Sequence, residues 1–575
     1  MKQRIAALLI CTLFLAGCTA PSPAPAPEVK LPAQTPQDTP RPEEEDDPSA
    51  GQGEETQSEA DALSARADEI VSAMTAEEKA GALFIVPISG TALSEKERAR
   101  MERCHFTNVI LFARNIGTRE EVRALTGQIR AFSEQRSGLP AIIGIDQEGG
   151  TVTRLDGVGS SFPPAMAMAA GNDADAVYRA GEITGEELAW FGINMDFAPD
   201  ADLNTNPANP VIGVRSFGDD PDAAADMICA FAQGLQEGGV LATVKHFPGH
   251  GDTQTDSHKG LPVVEKTLDQ LAACELIPFR RAIEAGVDAV MTTHILFPKI
   301  EADGVPATMS DAILTGLLRE TLGFDGMIVT DSMEMAAIAE HYGVEAGTVA
   351  AVRAGADLII APSDAAKQES AYEAVLQAVR TGEISGERLD AAARSVVLAR
   401  LRIAARESAV RTPDFAANAE EAVQCAVRSA TLLSGDWRAP SGRVLVLSPE
   451  GKRVSVSGGG SFGAACAQRL AFDQMTVDSS PTQAQIDSAV QKAGGYDAVL
   501  IAATGSGCAK LAAAVGQKNA AVSVFLFGSP YAAARYAGAA SVVCFYDYSS
   551  TTVEGAVRML EGGGAPSGTL PVSPA

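Results

Sequence analysis

The sequence predicts a (β/α)8 TIM-type barrel followed by a smaller α/β sandwich domain. Three observations carry this expectation. Eight short apolar runs rich in β-branched residues alternate with amphipathic stretches between residues 61 and 405. A second, shorter α/β series follows from about residue 421. Polar, chemistry-bearing motifs cluster directly after the apolar runs, where open α/β sheets and barrels alike place function.

The barrel runs are Leu83–Pro87, Asn108–Phe112, Ala141–Ile145, Ile193–Ala198, Leu241–Val244, Ala289–Met291, Met327–Thr330 and Asp357–Ala361. Helical periodicity between them includes Thr118–Ser133, Asp173–Phe191, Asp222–Gln236, Thr267–Ala285 and Ser310–Thr321. An open doubly wound sheet is the alternative that pattern alone leaves. Residues 406–420 read as a linker, and residues 421–575 as the C-terminal α/β domain. Its strands are expected at Val444–Ser448, Ala498–Ala503, Val522–Phe527 and Ser541–Tyr546, with a helix at Gln483–Ala493.

The N-terminal region reads differently. Met1-Lys2-Gln3-Arg4 is a basic start, and Ile5 to Gly17 is apolar apart from Thr12. A bilayer span needs about 20 such residues, so residues 1–17 read as a secretory signal peptide. Leu15-Ala16-Gly17-Cys18 resembles a bacterial lipobox, which implies lipidation of Cys18 and an extracytoplasmic protein anchored to the membrane by lipid alone. Residues 18–60 hold nine prolines and ten acidic but only two basic residues, counted after Cys18. That composition cannot bury enough apolar surface to offset the ordering entropy, so a disordered tether is expected.

The 575 residues carry a net charge of −28. This balance argues against nucleic acid and against an anionic lipid surface as partners, since both require basic patches. Beyond Cys11 and Cys18, seven cysteines remain without CxxC spacing, so they read as mostly buried thiols with room for one bridge. No zinc-type cysteine cluster occurs, and the sequence calls for no cofactor.

Chemistry concentrates at three strand ends. The third strand runs into Asp146-Gln147-Glu148-Gly149-Gly150 with Arg154 close behind. Carboxylates accept from vicinal hydroxyls and Arg donates a fixed fork, which suits a sugar, although an Asp–Arg structural pair fits the same residues. The fifth strand runs into Lys245-His246-Phe247-Pro248-Gly249-His250-Gly251, then Asp252, Asp256 and His258, so that three of the six histidines lie in fourteen residues. One reading is a metal site of His246, His250 and His258 with Asp252 or Asp256, but the glycine-rich loop offers no helical face for it. Another is a dyad in which Asp256 orients His258 for proton transfer, and a structural histidine is a third. The seventh strand ends in Thr330-Asp331-Ser332-Met333. A carboxylate there is costly to desolvate unless used or paired, which makes Asp331 a candidate nucleophile, with a helix cap as the plainer role.

Together with Val214-Arg215-Ser216-Phe217-Gly218, these segments resemble family 3 glycoside hydrolases, and more narrowly their β-N-acetylglucosaminidase branch. The resemblance spans roughly residues 65–405 with the motifs in order, and the tail Gly562–Val572 is similar to the end of a family 3 second domain. It implies an exo-acting enzyme that works in two steps with retention. Asp331 then matches the nucleophile, and His258, oriented by Asp256, matches the acid/base. Asp146, Arg154, Arg215, Lys245 and His246 match sugar-binding positions; His294 lies near the site with its role open. No metal or cofactor is implied. The expected substrates are N-acetylglucosamine-terminated glycans, notably muropeptides from peptidoglycan turnover. Transfer to phosphate and action on plain β-glucosides stay open within the family, and an inactive wall-binding lipoprotein stays open outside it.

Overall fold

The computed structural model describes residues 50–256, 260–406, 410–449, 461–519 and 521–574. The expected signal peptide, Cys18, the expected tether up to residue 49, and His258 therefore lie outside the described residues. Among the described residues, no helix is long and apolar enough to cross a membrane.

All eight expected barrel strands form. They are β1 (Phe84–Pro87), β2 (Asn108–Ile110), β3 (Ile143–Ile145), β4 (Met195–Asp196), β5 (Leu241–Phe247), β6 (Ala289–Thr292), β7 (Met327–Val329) and β8 (Ile359–Ile360). Each pairs in parallel with the next, β1 pairs with β8, and a bridge between Val329 and Leu358 brings β7 and β8 together. The strands are short and buried throughout, as expected where helices cover the outside and side chains fill the inside. Ile85, Ile110, Met195, Phe197, Met291 and Val329 share the inner apolar cluster. The larger cluster lies between strands and outer helices.

The helices start where side chains can hold the first free N–H groups. Thr118 accepts from Glu121 N while the Glu121 carboxylate accepts from Thr118 N, and Thr75, Ser94 and Thr267 repeat this reciprocal cap. Two expected boundaries move. A helix over Ala50–Ala73 begins inside the stretch expected to be tether to residue 60. The last proline before it is Pro48, after which alanine and glutamate are compatible with a helix. A second helix, Phe415–Ser429, begins inside the expected linker at 406–420, with Asp414 capping it through Ala416 N and Ala417 N.

The C-terminal domain is a six-stranded sheet in the order β11-β10-β12-β13-β14-β9, with apolar clusters on its two faces. Four strands fall where expected: β10 (Val444–Ser448), β12 (Ala498–Ala503), β13 (Val522–Leu526) and β14 (Ser541–Cys544). Two edge strands were not expected. These are β9 (Thr431–Gly435), antiparallel to β14, and β11 (Asp473–Thr476), parallel to β10. Both are largely exposed, so neither carries a continuous apolar run.

The domain is sewn to the barrel. Barrel residues Met166, Ala167 and Ala170 pack into its core. Thr569 N donates to Ala170 O at 2.8 Å, and Ser573 N donates to the Asp219 carboxylate at 2.6 Å. Asn204 Nδ2 donates to the Tyr531 hydroxyl at 3.0 Å. The seven cysteines after the tether are all free thiols, five of them buried.

Candidate active site

The polar motifs converge at the C-terminal ends of the strands, around a cavity of about 750 Å³. Its wall includes Asp146, Arg154, Arg215, Lys245, His246 and Asp331, which brings together every described catalytic and sugar-binding candidate except Asp256. Among the described residues, none of the C-terminal domain lines it.

From β3, Asp146 and Glu148 enter the cavity across the turn at Gly149 and Gly150. Both glycines have positive φ, 98° and 56°, and a Cβ on Gly150 would fall 2.6 Å from the Pro164 ring. Only glycine lets the chain reverse this tightly. Asp146 accepts from Lys245 Nζ at 3.0 Å through one oxygen and from Arg154 Nη2 at 3.3 Å through the other. Its carboxylate is therefore fixed while part of it remains open to the cavity.

Glu148 is buried and gripped in bidentate fashion by Arg215, with Nε and Nη2 each at 2.8 Å, while Lys245 Nζ approaches to 2.6 Å. Burial opposes its charge, but Arg215 and Lys245 outweigh burial and hold the carboxyl well below the usual range. The two cations are in turn held charged, since their acidic neighbours outweigh desolvation. A glutamate so paired has no proton to give near neutral pH. Asp252, the other carboxylate within this motif, pairs with Lys266 at 3.2 Å and is not among the cavity-lining residues.

A β-bulge shifts the β5–β6 register between Lys245 and Phe247. Consecutive side chains on a regular strand point to opposite faces; here Lys245 and His246 both reach the cavity. His246 Nδ1 lies 2.7 Å from Asp202 Oδ2. Burial, reinforced by Arg215, lowers the imidazole to about 4 despite Asp200, so the ring is neutral at pH 7. His250 is likewise neutral, lowered to about 3 by burial beside His246. The loop is clamped at Gly251, where a Cβ would fall 1.6 Å from Leu203 O.

Asp200 and Asp202, from the loop after β4, were not expected. Asp202 accepts from the backbone N–H of His246 at 3.2 Å and of His250 at 2.5 Å, and so ties the histidine loop to the neighbouring strand end. Burial pushes it up to about 6. Asp200 lies 3.3 Å from Arg215 Nη2, and burial, reinforced by Asp202, raises its carboxyl well above the ordinary value. Asp200, Asp202 and His246 are the one group among the described residues whose donor atoms cluster closely enough for a metal ion. Asp202 is committed to the loop N–H groups and His246, while Asp200 accepts from Asp202 N through Oδ1 and sets Oδ2, which makes no hydrogen bond, against the Arg215 charge. The set works as a buried scaffold for the histidine loop. The signal for both residues was available, because a carboxylate just past a buried strand raises the same desolvation question as Asp331.

Asp331 follows β7. Ser332 N donates to its Oδ1 at 2.7 Å. Burial raises its pKa, but His294, then His246, the Ser332 N–H and Lys245 outweigh that, so the carboxylate is held below its ordinary value. It is an anion at neutral pH, fixed at one oxygen and facing the cavity. Burial also pushes Asp196, at the end of β4, up to about 8, so that acid is neutral.

The model for the N-terminal domain of glycosyl hydrolase family 3 matches residues 75–399. The chain belongs to this family. A β-hexosaminidase A from Pseudoalteromonas piscicida is 34% identical over 328 residues, covering 52% of this chain and 54% of that protein. The chain thus spans about half of this relative's length. A β-hexosaminidase from Chromobacterium violaceum is 38% identical over 283 residues, covering 48% of this chain and 77% of the relative. Among solved structures, a family 3 β-N-acetylglucosaminidase from Paenibacillus sp. superposes with a TM-score of 0.81 at 34% identity. That match covers 87% of this chain and 99% of the other, so it extends through both domains. The expected family and the two-domain architecture are both met. Within the family 3 barrel, Asp256 is placed on the loop after β5 but His258 is outside the described residues, so the dyad stays an expectation from sequence.

Proposed function

We propose that the chain is an exo-acting, retaining β-N-acetylglucosaminidase. The observation that carries this reading is Asp331: an anionic carboxylate at a barrel strand end, opening on the same cavity as Asp146, Arg154 and Lys245. The names of the relatives and of the Paenibacillus structure support the sugar.

A terminal N-acetylglucosamine enters the cavity with its hydroxyls facing Asp146, Arg154 and Lys245. Asp331 attacks the anomeric carbon as the bond to the leaving oxygen breaks, and that oxygen takes a proton from His258. The product is a glycosyl ester on Asp331. Water then gives its proton to His258 while its oxygen attacks the anomeric carbon, and Asp331 is released. Two inversions give net retention. Asp256 orients the imidazole and supports its charge. The charge held on Glu148 supports a histidine in the acid/base role, because that carboxylate is already neutralised by two cations.

The proposed substrates are cell-wall fragments, reached from the outer face of the membrane by a protein held there through a lipid on Cys18. The acidic, proline-rich stretch after Cys18 supports a spacer role.

The deciding experiment compares an aryl N-acetyl-β-glucosaminide with an aryl β-glucoside, each with and without phosphate. Preference for the N-acetyl sugar, with free sugar released at the same rate in both buffers, is the expected result. Sugar 1-phosphate as the main product overturns hydrolysis, preference for the glucoside overturns the sugar, and no turnover of either overturns an enzymatic role.

A further inference from the structure

The loop after β4, residues 197–220, has two neighbours. On one side it supplies Arg215 to the catalytic cavity and ties down the histidine loop through Asp202. Asn209 adds to that tie, since its Nδ2 donates to His250 O at 2.9 Å and to Gly251 O at 3.0 Å. On the other side the same loop meets the C-terminal domain at three points. Val214, next to Arg215 in the chain, packs against the apolar cluster that holds Val572. Asp219 N donates to Pro571 O at 3.3 Å, and the Asp219 carboxylate accepts from Ser573 N at 2.6 Å. Asn204 Nδ2 donates to the Tyr531 hydroxyl at 3.0 Å.

The third contact reaches furthest into the site. Asn204 is 1% exposed, and among the described residues Tyr531 is the one hydrogen-bond partner of its side chain. The Asn204 backbone N–H lies 3.1 Å from Ser216 Oγ and 2.9 Å from Gly218 O. The buried Ser216 hydroxyl in turn donates to Asp202 O at 2.6 Å. One hydroxyl thus joins Asn204 to the backbone of Asp202, and it belongs to the residue that follows Arg215. Asp202 holds the N–H groups of His246 and His250, while Arg215 grips Glu148, which also pairs with Lys245. A line of bonds therefore runs from the short helix Pro530–Tyr536 of the C-terminal domain to the two cations on the cavity wall.

We infer that Tyr531 is a positioning residue for the glycosidase site, and that the C-terminal domain serves the barrel by fixing the loop that carries Asp202 and Arg215. The inference rests on the reading of the barrel cavity as the sugar site. Without the Tyr531 hydroxyl, the buried Asn204 amide has no partner in its present place, which is costly. The loop then shifts part of its population toward arrangements that expose the amide to other partners and move Arg215 away from the sugar.

The test is steady-state kinetics on the full-length protein, with the aryl glycoside that the wild type turns over, alongside thermal melting. Tyr531→Phe removes one hydroxyl and keeps the ring. It should raise KM about two- to fivefold, the range over which one neutral hydrogen bond shifts a competent fraction. Asn204→Ala cuts the same bond from the barrel side and should raise KM as far. The double variant should be no worse than the worse single variant, because both remove one interaction. Val557→Ala, in the apolar cluster on the other face of the same sheet, should lower Tm and leave KM unchanged, since a smaller folded fraction lowers only the apparent kcat. If one single variant does not fold, the other still decides the matter. An unmoved KM in Tyr531→Phe, an additive double variant, or a Val557→Ala protein whose KM rises as far as that of Tyr531→Phe would each overturn the inference. Wild-type protein that turns over no aryl glycoside overturns the glycosidase reading and this inference with it; wild-type turnover with KM unmoved in the variants overturns this inference alone.

Discussion

His294 Nε2 lies 3.0 Å from the backbone carbonyl of Ser332, the residue whose N–H holds Asp331. A carbonyl only accepts, so Nε2 is the donor, and Nδ1 meets Thr308 Oγ1 at 2.8 Å on the other side of the ring. The imidazole thus fixes the turn that carries the proposed nucleophile. After burial, which raises the Asp331 pKa, the field of His294 is the largest influence on it and lowers it. Removing that field raises the pKa, so Asp331 becomes protonated at a higher pH. His294→Phe should therefore move the acid limb of kcat/KM upward for a dinitrophenyl glycoside, which needs no leaving-group proton. It should also lower kcat about tenfold through looser positioning. His294→Gln, which keeps an N–H donor toward Ser332, should recover more of kcat than of the pH shift. An unmoved acid limb in His294→Phe removes the electrostatic role.

Asp331→Ala should abolish turnover and leave the fold intact. The residue follows β7 rather than lying within its pairing, and no core contact depends on its carboxylate. Loss of the proposed nucleophile would remove the covalent step itself. Circular dichroism checks the fold; retention of more than a few per cent of wild-type turnover would sink the nucleophile assignment.

The barrel was legible in the sequence because most of its buried strands lie in compact apolar runs rich in β-branched residues, and such a run survives without knowledge of its neighbours. β9 and β11 were not, because an exposed edge strand is held mainly by backbone bonds to a partner, β14 or β10, that sequence proximity does not reveal. The same contrast holds within the site. Asp331 and the Lys245–His250 block stood out through local context. Asp202 carried the same desolvation signal as Asp331, but its role shows only against His246 and His250, more than forty residues on, and Arg400 looks like one more arginine of an amphipathic helix until its burial is seen.

The neutral histidines make stability depend on pH. His250 has a folded pKa of about 3 against about 6.5 when unfolded. Between those values the unfolded chain takes up a proton that the folded chain refuses, so stability falls as pH falls below about 6.5. The loss attributable to this one group is about 2 kcal/mol between pH 6.5 and 5. His250→Asn removes the titration. Its urea unfolding free energy should start lower at pH 7, because the Thr253 contact and ring packing are disturbed, but should decline less steeply toward pH 5. Parallel declines in the two proteins would show that His250 is not held neutral.

Cys18→Ser should move the protein from the membrane fraction to the soluble fraction with its glycosidase activity unchanged. On the proposed reading the lipid is an anchor alone, and among the described residues those that line the catalytic cavity all belong to the barrel. A variant that stays with the membrane, or that is released inactive, contradicts the anchor proposal.

The proton-transfer role proposed for His258 is tested most cleanly through leaving groups. In the first step the acid/base must protonate the departing oxygen, and in the second it must take a proton from water. A dinitrophenolate departs without help, whereas an alkoxide does not. His258→Ala should therefore cripple substrates with poor leaving groups far more than those with good ones. On the good ones the second step becomes slow, and the glycosyl ester on Asp331 should accumulate. Azide attacks without needing a base, so it should restore part of the turnover and yield the β-glycosyl azide. Asp256→Ala should show a milder form of the same pattern, since it removes orientation and charge support but leaves the imidazole. If His258→Ala slows all leaving groups equally and azide has no effect, the histidine binds or braces. The proton would then have to come from another group, and Glu148 is poorly suited, because Arg215 and Lys245 hold it ionised far below neutral pH.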